Sequence, residues 1–271
     1  MHPPPAILPQ QRKEWFCRLF QWYSRRLLLK NFNAVRIEPA SDKVLESLDT
    51  HEGPTMLLLN HQSWWDPILS AALARQFSPG RQVFAPMDRV MVKQFAFMRR
   101  LGIFGVDLDD PSAYKGMVQY ATDLARHHPR PSFWITPQGR FVDVRAPLEL
   151  RPGAAAIAGR LHKYAAPPRV VCLAVEYPFW DDRKPELLLL ARPCPTPPRP
   201  TTSLWHREMS RTLAEAMHEL SKLAIARKPK ALDILFGRGA SGVNPVYDTI
   251  LRITGRQTAI STQDSRAEPS P

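Results

Sequence analysis

Short apolar runs alternate with amphipathic segments along most of the chain, and this alternation constrains the fold more than any other feature. The runs that predict strands are residues 56–59, 82–85, 103–106, 132–136, 170–176 and 186–191. The segments that predict helices are residues 67–77, 111–127, 153–161 and 204–227. Strands that alternate with helices favour an α/β domain, with a largely parallel central sheet flanked by helices.

The length and composition are those of a globular protein with one sizeable domain and small appendages. The chain has 271 residues, of which 44% are hydrophobic and 23% charged, as in ordinary globular domains. We expect five segments: a disordered Pro-rich N-terminus (1–11), an amphipathic helical element that contacts membrane (12–50), the α/β domain (51–230), a C-terminal extension (231–256) and a disordered tail (257–271).

The chain is strongly basic, with 37 Lys and Arg against 25 Asp and Glu and a net charge of +12. Such a charge favours an anionic partner, which is a nucleic acid, an anionic membrane surface or a phosphorylated substrate. The cations are spread along the sequence and no nucleic-acid-binding motif is evident, so nucleic acid is not expected as a partner. Three widely spaced cysteines predict a reducing compartment, with neither a disulfide framework nor a metal site.

Residues 12–30 predict an N-terminal amphipathic helix in which large aromatic side chains alternate with cations. Their spacing by three and four residues gives the helix one broad apolar face. That face carries Trp15, Phe16, Leu19, Phe20, Trp22, Tyr23 and Leu27. Basic helices with Trp and Phe lie in membrane interfaces, although docking on the core of the domain explains the same pattern. No apolar stretch reaches the roughly 18 residues that a membrane span needs, so we expect a cytoplasmic protein that associates peripherally with membrane.

The most informative segment is residues 60–67, with the sequence Asn-His-Gln-Ser-Trp-Trp-Asp-Pro. A predicted strand ends just before His61, at the edge of the sheet where α/β proteins bind their ligands. Pro67 favours a turn at Asp66 that leads into a helix, which would allow Asp66 to accept a hydrogen bond from one imidazole nitrogen and leave the other as a base. In the alternative interpretation Asp66 only caps the helix and His61 is a polar loop residue.

This segment resembles the first motif of the glycerolipid (lysophospholipid) acyltransferases. That motif, N-H-x-S-x-x-D, is matched by Asn60, His61, Ser63 and Asp66. The second motif, G-x-I-F-x-x-R, is matched in part by residues 102–107, with Leu108 in place of the arginine. The third, F-P-E-G-T-R-S, corresponds to residues 136–141, with Gln138 in place of the glutamate. Residues 151–155 resemble the family's K-x-G-A segment and residues 170–176 its apolar fourth motif, so the resemblance covers about residues 50–195.

The resemblance implies transfer of a fatty acyl group from acyl-CoA or an acyl carrier protein, as co-substrate, to a hydroxyl of a lipid acceptor, without cofactor or metal. His61, oriented by Asp66, would be the general base, and Ser63 a local hydrogen-bonding residue. The acceptor would attack the thioester directly, and the backbone near Gly139 would stabilise the oxyanion. Residues 51–230 would then be the acyltransferase domain.

The expected substrate-binding residues are Gln138, Gly139, Arg140 and Arg151. Arg140 and Arg151 could hold a phosphate bidentately, or each could be a solvated loop cation. Because the sequence lacks the second-motif arginine and the third-motif glutamate, the acceptor stays open. It is a lysophospholipid, or a non-phosphorylated glycolipid or other hydroxylated lipid. A catalytically silent relative that binds lipid is the remaining alternative.

Overall fold

A computed structural model describes residues 7–107, 110, 113–163, 167–180 and 182–237. Within them, one nine-stranded sheet forms the centre of the molecule, in the order β1-β5-β4-β6-β3-β7-β8-β2-β9. The strands are β1 (Ile7–Leu8), β2 (Ala34–Ile37), β3 (Thr55–Leu59), β4 (Gln82–Asp88), β5 (Ile103–Val106), β6 (Pro131–Ile135), β7 (Arg169–Glu176), β8 (Leu187–Cys194) and β9 (Asp233–Gly237).

Seven α-helices and two short 3₁₀ helices accompany the sheet in the described part of the chain. The α-helices are α1 (Glu14–Asn31), α2 (Ser41–Thr50), α3 (Trp65–Phe77), α4 (Arg89–Gln94), α5 (Ala113–His127), α6 (Gly153–Leu161) and α7 (Thr202–Ala226). The 3₁₀ helices are Ala96–Leu101 and Pro229–Ala231. No helix in these described ranges is long and apolar enough to cross a membrane.

Five of the eight strand pairings are parallel, which confirms the predicted α/β fold with a largely parallel sheet. Strand β3 lies between β6 and β7 and runs parallel to both. Along β3, Met56 and Leu58 pack into one hydrophobic core, with α5, α6 and α7, while Leu57 and Leu59 pack into a second, with α1, α2 and α3. Burial on both faces explains why this strand is continuously apolar from Met56 to Leu59 rather than alternating.

The structure corrects the expected disorder of residues 1–11 where it describes them. Strand β1 pairs antiparallel with β5, and the Ile7 side chain is only 4% exposed in the first core. Prolines are tolerated beside this short edge strand. The N–H group that a proline lacks would have had no further strand to donate to.

Both expected boundaries of the acyltransferase domain also need correction. Strand β2, inside the predicted 12–50 element, pairs with β8, and β9, inside the predicted C-terminal extension, pairs with β2. The sheet therefore draws on residues before position 51 and after position 230. The predicted tail at 257–271 lies outside the described residues.

Helix α1 confirms the predicted N-terminal helix, but its apolar side chains do not all share one environment. Cys17, Ser24 and Leu28 are buried in the domain, whereas four of the expected apolar residues are 48–63% exposed: Trp15, Leu19, Trp22 and Tyr23. The helix therefore packs on the core and also presents an aromatic surface to solvent.

Candidate active site

Three neighbouring parallel strands carry the candidate site residues to one edge of the sheet. His61 follows β3, residues 136–142 follow β6, and Tyr177 directly follows β7. The carboxyl ends of parallel strands meet at the same edge, so segments far apart in sequence become neighbours. The site therefore lies at the carboxyl ends of the three middle strands of the sheet.

The predicted contact between His61 and Asp66 is present. The imidazole Nδ1 lies 2.7 Å from Asp66 Oδ2, and the Asp66 side chain is 1% exposed while that of His61 is 17% exposed. With Nδ1 held by the carboxylate, Nε2 is the nitrogen that can accept a proton.

Asp66 also holds the turn that precedes α3. The backbone amides of Gln62 and Ser63 each donate to Asp66 Oδ2 at 3.1 Å, and Ser63 Oγ accepts from the Trp65 amide at 3.2 Å. The same carboxylate thus contacts both the turn and His61, while the role of His61 as a base stays a prediction. Ser63 has the local hydrogen-bonding role expected of it.

Tyr177 is a member of this network that the sequence analysis did not identify. Its hydroxyl donates to Asp66 Oδ1 at 2.5 Å. Burial, followed by the negative charge of Asp66, raises the pKa of Tyr177 well above its ordinary value, so the phenol stays protonated. Asp66 therefore accepts hydrogen bonds at both side-chain oxygens, from Tyr177 at Oδ1 and from the turn and His61 at Oδ2.

Gln138 connects the third-motif segment to the first. Its Oε1 accepts a hydrogen bond from the His61 amide at 2.6 Å, and its side chain is only 6% exposed. A glutamine here positions the backbone of His61, while a role in substrate binding stays a prediction.

Gly139 is required by the backbone at this turn. Its φ is +67°, where another residue would be strained, and a Cβ there would lie 2.9 Å from Arg151 Nε, so the arginine side chain would have to shift. The Gly139 amide donates to the Thr136 carbonyl at 3.1 Å, which removes it as an oxyanion donor. In the described chain, the next two amides, those of Arg140 and Phe141, have no hydrogen-bond partner.

The loop after Gly139 returns to His61. The Val142 amide donates to the His61 carbonyl at 2.8 Å, and the Phe141 ring centroid lies 4.4 Å from that of the imidazole. Phe141 is 59% exposed and was not predicted as a site residue. It occupies the position that the third motif fills with arginine, and that departure was the available signal.

The predicted arginines differ in their surroundings. Arg140 is exposed and forms an ion pair with Glu149 at 3.4 Å, whereas Arg151 lies beside Gly139 and its amide donates to the Pro137 carbonyl at 2.8 Å. Leu108, which replaces the second-motif arginine, lies outside the described residues.

A comparison with protein families decides the classification. The model of the family described as Acyltransferase matches residues 34–174, which is more than half of the chain. The chain belongs to the acyltransferase family. The resemblance predicted from the motifs is confirmed, and the match begins at β2, in agreement with the corrected domain boundary.

Among solved structures, this acyltransferase is similar to the 1-acyl-sn-glycerophosphate (LPA) acyltransferase PlsC from Thermotoga maritima. The TM-score is 0.52 at 16% sequence identity, and the alignment covers 78% of this chain and 80% of that chain. At this identity the similarity shows a shared fold. No curated protein sequence gives a significant match to the chain.

Proposed function

We propose that this acyltransferase moves a fatty acyl group from a thioester, either acyl-CoA or acyl carrier protein, to a hydroxyl of a lipid acceptor. The observation that carries the proposal is the 2.7 Å contact between His61 Nδ1 and Asp66 Oδ2 at the carboxyl edge of the sheet. The fold shared with a glycerophosphate acyltransferase supports a lipid as the acceptor.

The chemistry follows from general base catalysis. His61 Nε2 takes the proton of the acceptor hydroxyl as its oxygen attacks the thioester carbonyl, which gives a tetrahedral oxyanion. The amides of Arg140 and Phe141 are candidate donors to that oxyanion. The carbon–sulfur bond then breaks, the imidazolium returns its proton to the leaving thiolate, and the products are the acyl ester and the free thiol.

Asp66 contributes to these reaction steps through His61. Its negative charge lies against the ring nitrogen opposite the reacting one, so it stabilises the imidazolium that exists between the two proton transfers. Its remaining hydrogen bonds, to the turn and to Tyr177, fix the carboxylate in place.

An acyl-transfer assay tests the proposal directly. The full chain is incubated with labelled long-chain acyl-CoA or acyl carrier protein and a panel of lipid acceptors. We expect labelled ester product that forms with wild-type protein and not with His61→Ala. Equal product from both proteins would contradict the proposed mechanism.

Tyr177→Phe is expected to lower kcat by about ten- to a hundredfold. The substitution removes the donor to Asp66 Oδ1, and a hydrogen bond to a charged group contributes about 1.5–3 kcal/mol. If that energy is lost from the transition state, the rate falls by about this factor. Steady-state kinetics give the comparison, with Tyr114→Phe on α5 as the matched control because it removes a hydroxyl on the other face of the sheet. An unchanged kcat would show that Asp66 does not need this bond.

We also propose that the enzyme docks on anionic membrane with the exposed face of α1. Trp22 has the guanidinium of Arg26 4.8 Å above its ring, and Phe97, 40% exposed, packs against Phe16 and Phe20 of α1. The exposed apolar surface therefore continues from α1 onto the 3₁₀ helix Ala96–Leu101, with cations beside it, as in helices that bind lipid interfaces.

Serine substitution of Trp15, Leu19 and Trp22 together is expected to lower partitioning onto anionic vesicles by at least about tenfold, since burying one large apolar side chain fully contributes about 1.5–3 kcal/mol. Deleting α1 would be a poorer test, because the helix also buries Leu28 in the core. Sedimentation with vesicles measures the bound fraction, and Ile225→Ser, at a 77% exposed position on α7, is the control. Added salt should weaken wild-type binding by screening. Wild-type partitioning of the triple variant would contradict this surface.

A further inference from the structure

The surface beside the catalytic base is aromatic. Phe141 places its ring 4.4 Å from the His61 imidazole, with the planes at 47°, and it stays 59% exposed. Trp64, in the turn between His61 and Asp66, is 61% exposed. These two exposed aromatic side chains can contact a bound molecule rather than fill the core.

Two cations of the neighbouring loop, Arg140 and Arg145, are each paired with a carboxylate. Arg140 lies 3.4 Å from Glu149. Arg145 donates to both carboxylate oxygens of Asp143, at 2.8 and 2.7 Å, and this pairing holds the pKa of Asp143 well below its usual range. A phosphate that binds Arg140 or Arg145 would have to replace the carboxylate paired with that arginine.

An aromatic ring face also disfavours an anion. The π-system carries negative charge on its face, so a phosphate directly over Phe141 would be repelled, whereas C–H groups and uncharged hydroxylated surfaces pack on it favourably. The Phe141 ring beside the His61 imidazole therefore disfavours a charged head group over its face.

We propose that the acceptor of this acyltransferase carries its reactive hydroxyl on an uncharged head group, that of a glycolipid or lipid alcohol, and that Phe141 selects it. This inference rests on the proposed acyl transfer to a lipid hydroxyl and adds the class of acceptor. Phe141 acts on specificity, and His61 performs the proton transfer on either kind of acceptor.

The test compares two acceptors that differ in charge. The full-length enzyme is assayed with 1-acylglycerol-3-phosphate, and with monoacylglycerol and monoacyl glycosylglycerol of the same acyl chain, in the same neutral detergent. We expect kcat/KM to favour at least one uncharged acceptor by at least about tenfold. A preference for the phosphorylated acceptor would overturn the inference.

Phe141→Arg provides a second, independent measurement. It places a guanidinium beside His61, so the ratio of kcat/KM for charged over uncharged acceptor should rise at least about tenfold. Ile225→Arg adds the same charge on α7 at a 77% exposed position and should leave the ratio unchanged. A ratio in Phe141→Arg equal to that of the wild type would remove Phe141 as the selecting residue.

The assays distinguish failure of the proposed acyl transfer from failure of the proposed acceptor class. Absence of His61-dependent product with every acceptor overturns the proposed function, and the acceptor class with it. His61-dependent product formed mainly on the phosphorylated acceptor overturns the acceptor class alone. Circular dichroism of Phe141→Arg confirms that a changed ratio comes from a folded enzyme.

Discussion

His61→Ala is expected to reduce turnover by roughly 10²- to 10⁴-fold, the contribution typical of a positioned general base. The variant keeps Asp66 with its bonds to the turn before α3 and to Tyr177. Because the imidazole is partly exposed and its proposed role is proton transfer, the fold and vesicle binding should be preserved. Initial rates of labelled ester formation measure the loss.

A histidine outside the site gives the matched control. His127 is exposed at the end of α5, where its Nδ1 lies 2.7 Å from the Asp123 carbonyl, and His127→Ala should retain wild-type turnover. If His61→Ala kept near-wild-type rates, the general-base mechanism would be wrong. If it lost rate and also lost its thermal transition, the loss would be structural and His61 would need another role.

The pair His61 and Asp66 could be predicted from local sequence because the two residues are only five apart and Pro67 sets where α3 begins. Tyr177 could not be assigned in this way, since 111 residues separate it from Asp66. Its place depends on the register of β7 against β3, where Leu59 lies opposite Leu173. Strand pairing of this kind is set by the whole sheet and not by any motif.

The central strands were predictable because burial on both faces makes them continuously apolar, as in β3 and β7. Strand β2 was missed because Arg36 interrupts its four residues. Arg36 is buried beside Glu186, with Nε 2.9 Å from the carboxylate, and a buried charge is tolerated only with such a partner. The sequence shows the arginine but not its partner 150 positions away.

Helix α1 shows where periodicity stops being informative. Spacing predicts a helix with an apolar side, which the structure confirms, but it does not say what that side contacts. Leu28 packs into the core while Trp15 and Trp22 face solvent. The division depends on where α3 and the 3₁₀ helix Ala96–Leu101 lie against α1, which is a property of the folded domain.

Asp66→Asn is expected to lower kcat by roughly 10²- to 10⁴-fold while leaving the fold nearly as stable, with a change of about 1 kcal/mol or less. An asparagine oxygen can still accept from the amides of Gln62 and Ser63, and the Tyr177 hydroxyl can rotate to accept from the new NH₂ group. The charge that stabilises the imidazolium is lost, while the retained oxygen still accepts from Nδ1–H of His61. Kinetics and thermal melting of the same preparation separate the two effects.

Asp66→Ala supplies the contrast that distinguishes the two roles of this carboxylate. It leaves the Gln62 and Ser63 amides and the Tyr177 hydroxyl without their acceptor, and each buried unsatisfied donor costs about 1–3 kcal/mol, so the melting temperature should fall clearly below that of Asp66→Asn. Turnover measured well below either melting temperature should be lost to a similar extent in both. If Asp66→Asn retained near-wild-type kcat, Asp66 would serve only to hold the turn before α3, and the charge of a carboxylate would not be needed beside His61.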